Sequence, residues 1–292
     1  KKAAFILAFL EICRNAHFPL LRRGGKMYYY KTRSRCPPKD PASRPGRGEK
    51  HCERGFSMST VDRLRCNREA QQIAKRAFAE VARQICPGMT ERERRVEMLL
   101  VQYGSDSFWR YGIGATVHVG PRTTLSGSTR TYRVTDLAVQ PNDCVVMDLA
   151  PSRSFYWGDY ARTVFLEEGR PITEPEELTI PAFREGLEAE IELHRALRRV
   201  ARPDMTFAEL YWRMSEELRK LGFENLDFSR NLGHSVELDA KNRRFIDENC
   251  HQPLSACEAF TFEPHIRRPT GRYGFKREDM YAFGKGGKLE VL

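Results

Sequence analysis

The sequence has 292 residues, 40% of them hydrophobic, and a formal net charge of +10. A chain of this size buries roughly 70–75% of the surface its unfolded form exposes, so it needs no disulfide or metal staple, and a metal site in it would be catalytic rather than structural. The charge is segregated: residues 1–57 hold 14 of the 49 Lys/Arg and 4 of the 39 Asp/Glu, and residues 58–292 carry 35 of each sign. A balanced body has no overall field for a phosphate backbone, which argues against nucleic-acid binding. No stretch approaches the ~18 consecutive apolar residues of a membrane span. The eight cysteines form no CxxC pair and no dense framework. That pattern is one of free thiols in a reducing compartment, and a cytoplasmic location is expected.

In chain order, Lys1-Lys2 and the apolar run 3–10 imitate a signal peptide until Glu11 interrupts them. Residues 31–55 are rich in Arg, Lys, Pro and Gly without periodicity, which predicts disorder. Residues 1–57 are therefore expected to be a basic leader or a non-native extension before a natural start at Met58, with a basic tail for acidic partners as the alternative. From Met58 the character changes. Apolar spacing near 3.6 (Ile73, Ala77, Val81, Ile85) predicts a helix within 61–85 that stops at Pro87-Gly88. Thr90 and Glu93 form a capping box for a second helix to about Gly104. Strands are predicted at 113–119, 144–149 and 161–167, with a loop or hairpin over 121–136. A long helix fits 181–201, and a second capping box, Thr206 and Glu209, opens a helix that stops at Gly222. Short strands follow at 260–266, 279–283 and 289–292. Helices and strands mix without regular βαβ alternation, so the fold class is α+β.

Four clusters in this frame carry chemistry. Asp148 follows the apolar run Val145-Val146-Met147, and Asp159 comes after a Pro/Ser/Arg turn. A buried carboxylate is costly unless paired or metal-bound, and two brought side by side need a cation between them. Gly233-His234 offers an imidazole beside a residue that permits close approach. In Phe260-Thr261-Phe262-Glu263-Pro264-His265-Ile266 the alternation puts Glu263 and His265 on one face of a strand. Glu278 opens the strand candidate at 279–283. Taken singly, each has an ordinary structural explanation: a turn-capping Asp, a core histidine, solvent-facing Glu and His.

The ordered set Asp, Asp, His, Glu, Glu resembles the methionine aminopeptidase / aminopeptidase P / prolidase family, whose fold is called pita-bread. The resemblance rests on Asp148 in "VVMDLAP", Asp159 in "GDYART", His234 in "NLGHS", Glu263 in "TFEPHI" and Glu278 in "KREDMYAF", and spans residues 62–292. It implies a single catalytic domain over 58–292 and two divalent metal ions, of manganese, cobalt, zinc or iron. By the same resemblance Asp148 would chelate one ion, His234 and Glu263 the other, and Asp159 and Glu278 would bridge them. A metal-bridging hydroxide would be the nucleophile, Glu263 would shuttle the proton, and short peptides would be cleaved in the aminopeptidase or Xaa-Pro manner. Hard carboxylates with one imidazole suit those metals.

The chain departs from the family pattern where Ser235 follows Gly-His, where Lys241 stands at the place of a second histidine, and where "EPH" replaces "EPG". His265, or less directly His118, is expected to take over substrate binding, whereas His194 and His251 are expected to be structural or solvated. The alternatives are a pita-bread binding module without catalysis, which would have lost ligands, and a creatinase-like hydrolase that needs no metal. Oligomeric state and the native metal are not legible in the sequence.

Overall fold

The computed structural model describes residues 59–92 and 95–292, and residues 1–58, with the expected leader, lie outside them. Glu93, half of the first expected capping box, is outside them too. Among the described residues there are four α-helices: α1 (Thr60–Ala82), α2 (Arg95–Gln102), α3 (Pro181–Val200) and α4 (Phe207–Lys220). The strands are β1 (Ser107–Phe108), β2 (Ala115–Val119), β3 (Asp143–Leu149), β4 (Pro151–Arg153), β5 (Tyr156–Trp157), β6 (Tyr160–Glu167), β7 (Arg170–Ile172), β8 (Glu224–Asn225), β9 (Phe260–Phe262), β10 (His265–Arg267), β11 (Phe275–Lys276), β12 (Asp279–Phe283) and β13 (Leu289–Val291).

Capping explains where the helices start. The Ser59 hydroxyl accepts from the Asp62 amide to open α1, Pro181 occupies the first turn of α3, and Thr206 and Glu209 form a reciprocal box at α4. α4 stops before Gly222, whose φ of 79° takes the chain out of helical space.

The largest sheet has the order β2-β3-β6-β7, all antiparallel. Every residue of β3 is buried, because both faces are covered. Val145, Met147 and Leu149 face one apolar cluster with Ile73, Ala77 and Val81 of α1 and Leu100 of α2. Cys144 and Phe165 face the other, with Phe183, Leu187 and Leu197 of α3 and Leu210 and Met214 of α4. Alternation therefore puts Val146 and Asp148 on the α3 side, away from α1. Each fully buried Val, Leu, Ile, Phe or Met side chain in these two clusters contributes about 1.5–3 kcal/mol.

The strand expected at 260–266 is two strands. β9 pairs with β12 in a sheet ordered β13-β12-β9, and β10 pairs with β11 and β8 in another. Pro264, which lacks an amide hydrogen, lies at the break, with Glu263 beside it.

Candidate metal centre

Strand register brings the carboxylates together. Asp148 on β3 stands opposite Ala161 on β6, and Ala161 is bridged on its other side by Glu278, which lies just before β12. Cross-strand neighbours share a face, so Asp148 and Glu278 project to the same side with only a methyl group between them. Asp159 lies two residues before Ala161 and shares that face by alternation. Carboxylate oxygens of Asp148, Asp159 and Glu278 lie within 4.8 Å of one another.

Two glycines permit close approaches that position the ligands. A Cβ on Gly158 would meet the Ala70 backbone carbon at 2.8 Å, so glycine lets the Asp159 strand lie against α1. There the Asp159 amide donates to Gln71 Oε1 at 2.9 Å. Gly233 has φ +144°, and a Cβ there would meet the Thr261 carbonyl oxygen at 2.2 Å. That approach lets the Thr261 amide donate to the His234 carbonyl at 2.7 Å and the His234 amide donate to Thr261 Oγ1 at 3.0 Å. The Glu263 amide donates to the Leu232 carbonyl at 2.9 Å, bringing Glu263 alongside the same loop.

The His234 ring lies beside Trp109, Trp157 and Phe245, with centroids 6.2, 5.8 and 6.1 Å away. Its Nδ1 is 3.1 Å from the Ser235 carbonyl, which fixes the tautomer: Nδ1 donates and Nε2 keeps its lone pair. Burial pushes the imidazole down to about 4, so it is neutral at pH 7. Nε2 stands 3.4 Å from Glu263 Oε1 and 3.7 Å from Asp159 Oδ2. Two donors about 2.1 Å from one ion at a tetrahedral angle stand about 3.4 Å apart, so these atoms are spaced to share one cation.

Two cations that sequence reasoning did not select lie among the acids. Arg110 bridges Asp148 Oδ1 and Asp159 Oδ1 through its two Nη atoms. Lys276 Nζ contacts Asp148 Oδ2 at 2.7 Å and Glu263 Oε2 at 2.9 Å. Burial opposes ionisation of Asp148, but Arg110 and Lys276 outweigh it and hold its carboxyl well below the usual range. Glu263 is also lowered, against its burial, by Lys276 and then His234. Asp159 and Glu278 go the other way. Burial, with the neighbouring carboxylates adding to it, lifts both above the usual range. Asp159 Oδ2 and both Glu278 oxygens are buried without a hydrogen-bond partner. Such atoms are costly to keep. The position of Asp159 Oδ2, 3.7 Å from a neutral imidazole nitrogen and grouped with Glu278, fits a hard divalent cation.

Of the five expected ligands, Asp148, Asp159 and Glu278 form one close group, and His234 and Glu263 adjoin it, with His234 Nε2 3.7 Å from Asp159 Oδ2 and 3.4 Å from Glu263 Oε1. His265 is buried on β10 opposite Lys276 of β11, and its Nε2 lies 2.7 Å from the Thr123 carbonyl. Burial, then Lys276, lowers it to about 4, so the ring is neutral and Nε2–H is the donor in that contact. His118 on β2 is half-buried and packs edge-on against Tyr132 at 5.4 Å. His194 is structural, as expected: its Nδ1 is 2.8 Å from Tyr281 Oη and its Nε2 3.1 Å from the Arg277 carbonyl. His251 is exposed. Lys276 had a legible signal, since it alternates with Glu278 in "KRE". Arg110, in a turn, had none.

The family model described as metallopeptidase family M24 matches residues 65–285. Solved structures match across 79% of this chain. They include an X-Pro aminopeptidase from Thermotoga maritima MSB8 (23% identity, TM-score 0.65, 60% of that chain) and a prolidase from Pyrococcus furiosus (25%, 0.63, 63%). An Escherichia coli aminopeptidase P carrying His361Ala matches at 18% identity and TM-score 0.60, over 55% of its length. The chain thus spans about 60% of the length of the solved structures it matches. A search of curated proteins found no match.

Proposed function

The chain belongs to metallopeptidase family M24 and has its pita-bread fold, and we propose that it hydrolyses short peptides at a divalent-metal centre formed among Asp148, Asp159, His234, Glu263 and Glu278. The observation that carries this is the set of buried oxygens without hydrogen-bond partners on Asp159 and Glu278, with the neutral His234 Nε2 3.7 Å from Asp159 Oδ2. Manganese, cobalt, zinc and iron all suit that donor set. A divalent ion held there supplies Lewis acidity toward a substrate carbonyl and toward water. Glu263 is the most accessible of the four carboxylates, at 14% side-chain exposure against 10% for Asp148 and none for Asp159 and Glu278. That makes it the group to accept a proton from the attacking water and pass it to the leaving amine. The candidates to face substrate are His118 and His265, the latter with its Nε2 already bonded to the Thr123 carbonyl. The likeness to a prolidase at 25% identity supports an Xaa-Pro or amino-terminal substrate. Five cysteines among the described residues are free, which supports a reducing, cytoplasmic setting. No helix among the described residues is long and apolar enough to cross a membrane.

The test is a hydrolysis screen of the full chain against Met-, Ala- and Xaa-Pro peptides, with each of the four metals and with a chelator. Metal-restored cleavage that is lost in His234→Ala supports the proposal. Tight metal binding with no cleavage of any peptide would instead favour a pita-bread binding module.

A further inference from the structure

Neither oxygen of Glu278 has a hydrogen-bond partner among the described residues, and the cations nearest Oε2, Lys276 Nζ and an Arg110 nitrogen, stand 3.6 and 3.7 Å away. No hydrogen bond aims this carboxylate. Its place depends on how its main chain is held.

That main chain is clamped on both sides. Glu278 meets β6 through an isolated bridge to Ala161, and the two bonds of the bridge are unequal. The Glu278 amide donates to the Ala161 carbonyl at 2.9 Å, but the return bond, from the Ala161 amide to the Glu278 carbonyl, is 3.4 Å long. Arg162 reinforces the weak half. Its Nη1 donates to the Glu278 carbonyl at 2.7 Å and to the Ala161 carbonyl at 2.8 Å, so one nitrogen spans both carbonyls of the bridge. Its Nη2 lies 2.7 and 2.9 Å from the two oxygens of Asp279, the next residue along. On the other flank, His194 Nε2 is 3.1 Å from the Arg277 carbonyl. A carbonyl only accepts, so Nε2 carries the hydrogen, and Nδ1 accepts from Tyr281 Oη at 2.8 Å.

Arg162 is itself held. Alternation puts it on the face of β6 opposite Ala161, beside Tyr160, whose ring centre is 4.1 Å from the guanidinium carbon. The Arg162 side chain is 12% exposed and that of Asp279 6%. A planar guanidinium presents paired donors at fixed angles, whereas an ammonium is a single point donor on a flexible stem. Lysine at this position could not hold two carbonyls and a carboxylate together.

We infer that Arg162 is a positioning residue: with Asp279 it fastens the Glu278 main chain to β6 and so sets where the Glu278 carboxylate stands relative to Asp148 and Asp159. The inference rests on the metallopeptidase assignment proposed above and adds what places one of its ligands. Arg162 acts through the Glu278 main chain and not through its carboxylate.

The experiment is manganese titration of the metal-stripped full chain, read by calorimetry, for the unaltered protein, Arg162→Lys, Asp279→Asn and a control, Arg268→Lys. Arg268 has the same kind of task elsewhere: it donates to the Leu221 and Gly222 carbonyls at the end of α4 and pairs with Glu185 of α3 at 2.8 Å. Circular dichroism and thermal unfolding of the metal-free proteins report folding and the stability cost of each change. Arg162→Lys keeps the positive charge, so its expected fall in manganese affinity, about 10–100-fold, reads lost geometry. Asp279→Asn is expected to fall by a similar factor. Arg268→Lys is expected to lower the thermal midpoint while changing the affinity less than about threefold. Where one of the two site variants does not fold, the other decides. Affinity within about threefold of the unaltered chain in a folded Arg162→Lys or Asp279→Asn would overturn the inference and leave the metallopeptidase proposal standing, and so would an equal fall in Arg268→Lys. Absence of manganese binding in the unaltered chain would overturn both.

Discussion

Replacing Glu190 with Gln is expected to stabilise the protein, and by an amount that grows with pH. Glu190 projects from the buried face of α3 and is fully buried. Thr163 Oγ1 donates to its Oε1 at 2.7 Å and accepts from the Lys276 amide at 2.9 Å, so this carboxyl backs the strand that carries Lys276 into the site. Its Oε2 has no hydrogen-bond partner. Burial pushes the carboxyl up from 4.5 to about 7 despite the Thr163 bond. Between those two values the unfolded chain has lost its proton and the folded chain has kept it, so stability falls as pH rises and levels off above about 7. The full penalty is about 3 kcal/mol, from 1.36 kcal/mol per pH unit of displacement. Gln keeps the acceptor for Thr163 and carries no charge. Urea unfolding followed by circular dichroism should give nearly equal stabilities for the two proteins at pH 4, with Glu190→Gln about 3 kcal/mol ahead at pH 8. A difference independent of pH, or a Gln variant that is the weaker at pH 8, would refute the placement of a poorly compensated carboxyl at this position.

Gly233→Ala is expected to cost about 2–4 kcal/mol in urea unfolding and to weaken manganese binding, since its Cβ would collide with the Thr261 carbonyl at 2.2 Å and displace His234. An unshifted midpoint would show that the loop relaxes freely. For His265→Ala the expected cost is about 1–3 kcal/mol from the lost bond to the Thr123 carbonyl. Turnover should fall less than about tenfold, because the neutral ring donates through Nε2 to Thr123 and offers only an acceptor at Nδ1. A loss near 10²–10³ with metal retained would point instead to an oxyanion contact. A chain shortened to start at Met58 is expected to keep its thermal midpoint and its peptidase activity, and a drop in either, read by calorimetry and peptide hydrolysis, would assign a structural part to residues 1–57.

Local sequence signals worked where the cause is local. The Thr206–Glu209 box, the stop at Gly222 and the boundaries of α3 all follow from neighbours within a few residues, and α3 and α4 start and stop within a residue or two of expectation, whereas α1 ends three residues early, at Ala82. The strand over 260–266 did not survive as one element, although its alternation did. Phe260, Phe262 and Ile266 go to the core, Glu263 and His265 face the other way, and Pro264 divides the pairing between two sheets. Side-chain direction depends on backbone pleat, which sequence shows, whereas strand partners depend on long-range register, which it does not. The Glu237 carbonyl caps the Trp157 indole and Gln71 holds the Asp159 amide for the same long-range reason, beyond the reach of any motif.

The candidate site divides along the same line. Two neighbouring buried aspartates demand a cation between them on electrostatic grounds alone, and the sequence made that demand visible through Asp148 and Asp159. Which cation answers it is a tertiary fact. Arg110 comes from a hairpin turn 38 residues before Asp148 and contacts both aspartates. Lys276 comes from 128 residues after Asp148 and ties it to Glu263. A ligand list read from sequence counts acids and imidazoles, and it assigns every acid to a metal because no competing charge is in view. Once the competing charges are placed, Asp148 is seen to be held by two protein cations, whereas Asp159 Oδ2 and both Glu278 oxygens keep no hydrogen-bond partner, a distinction that no count of acids in the sequence could draw.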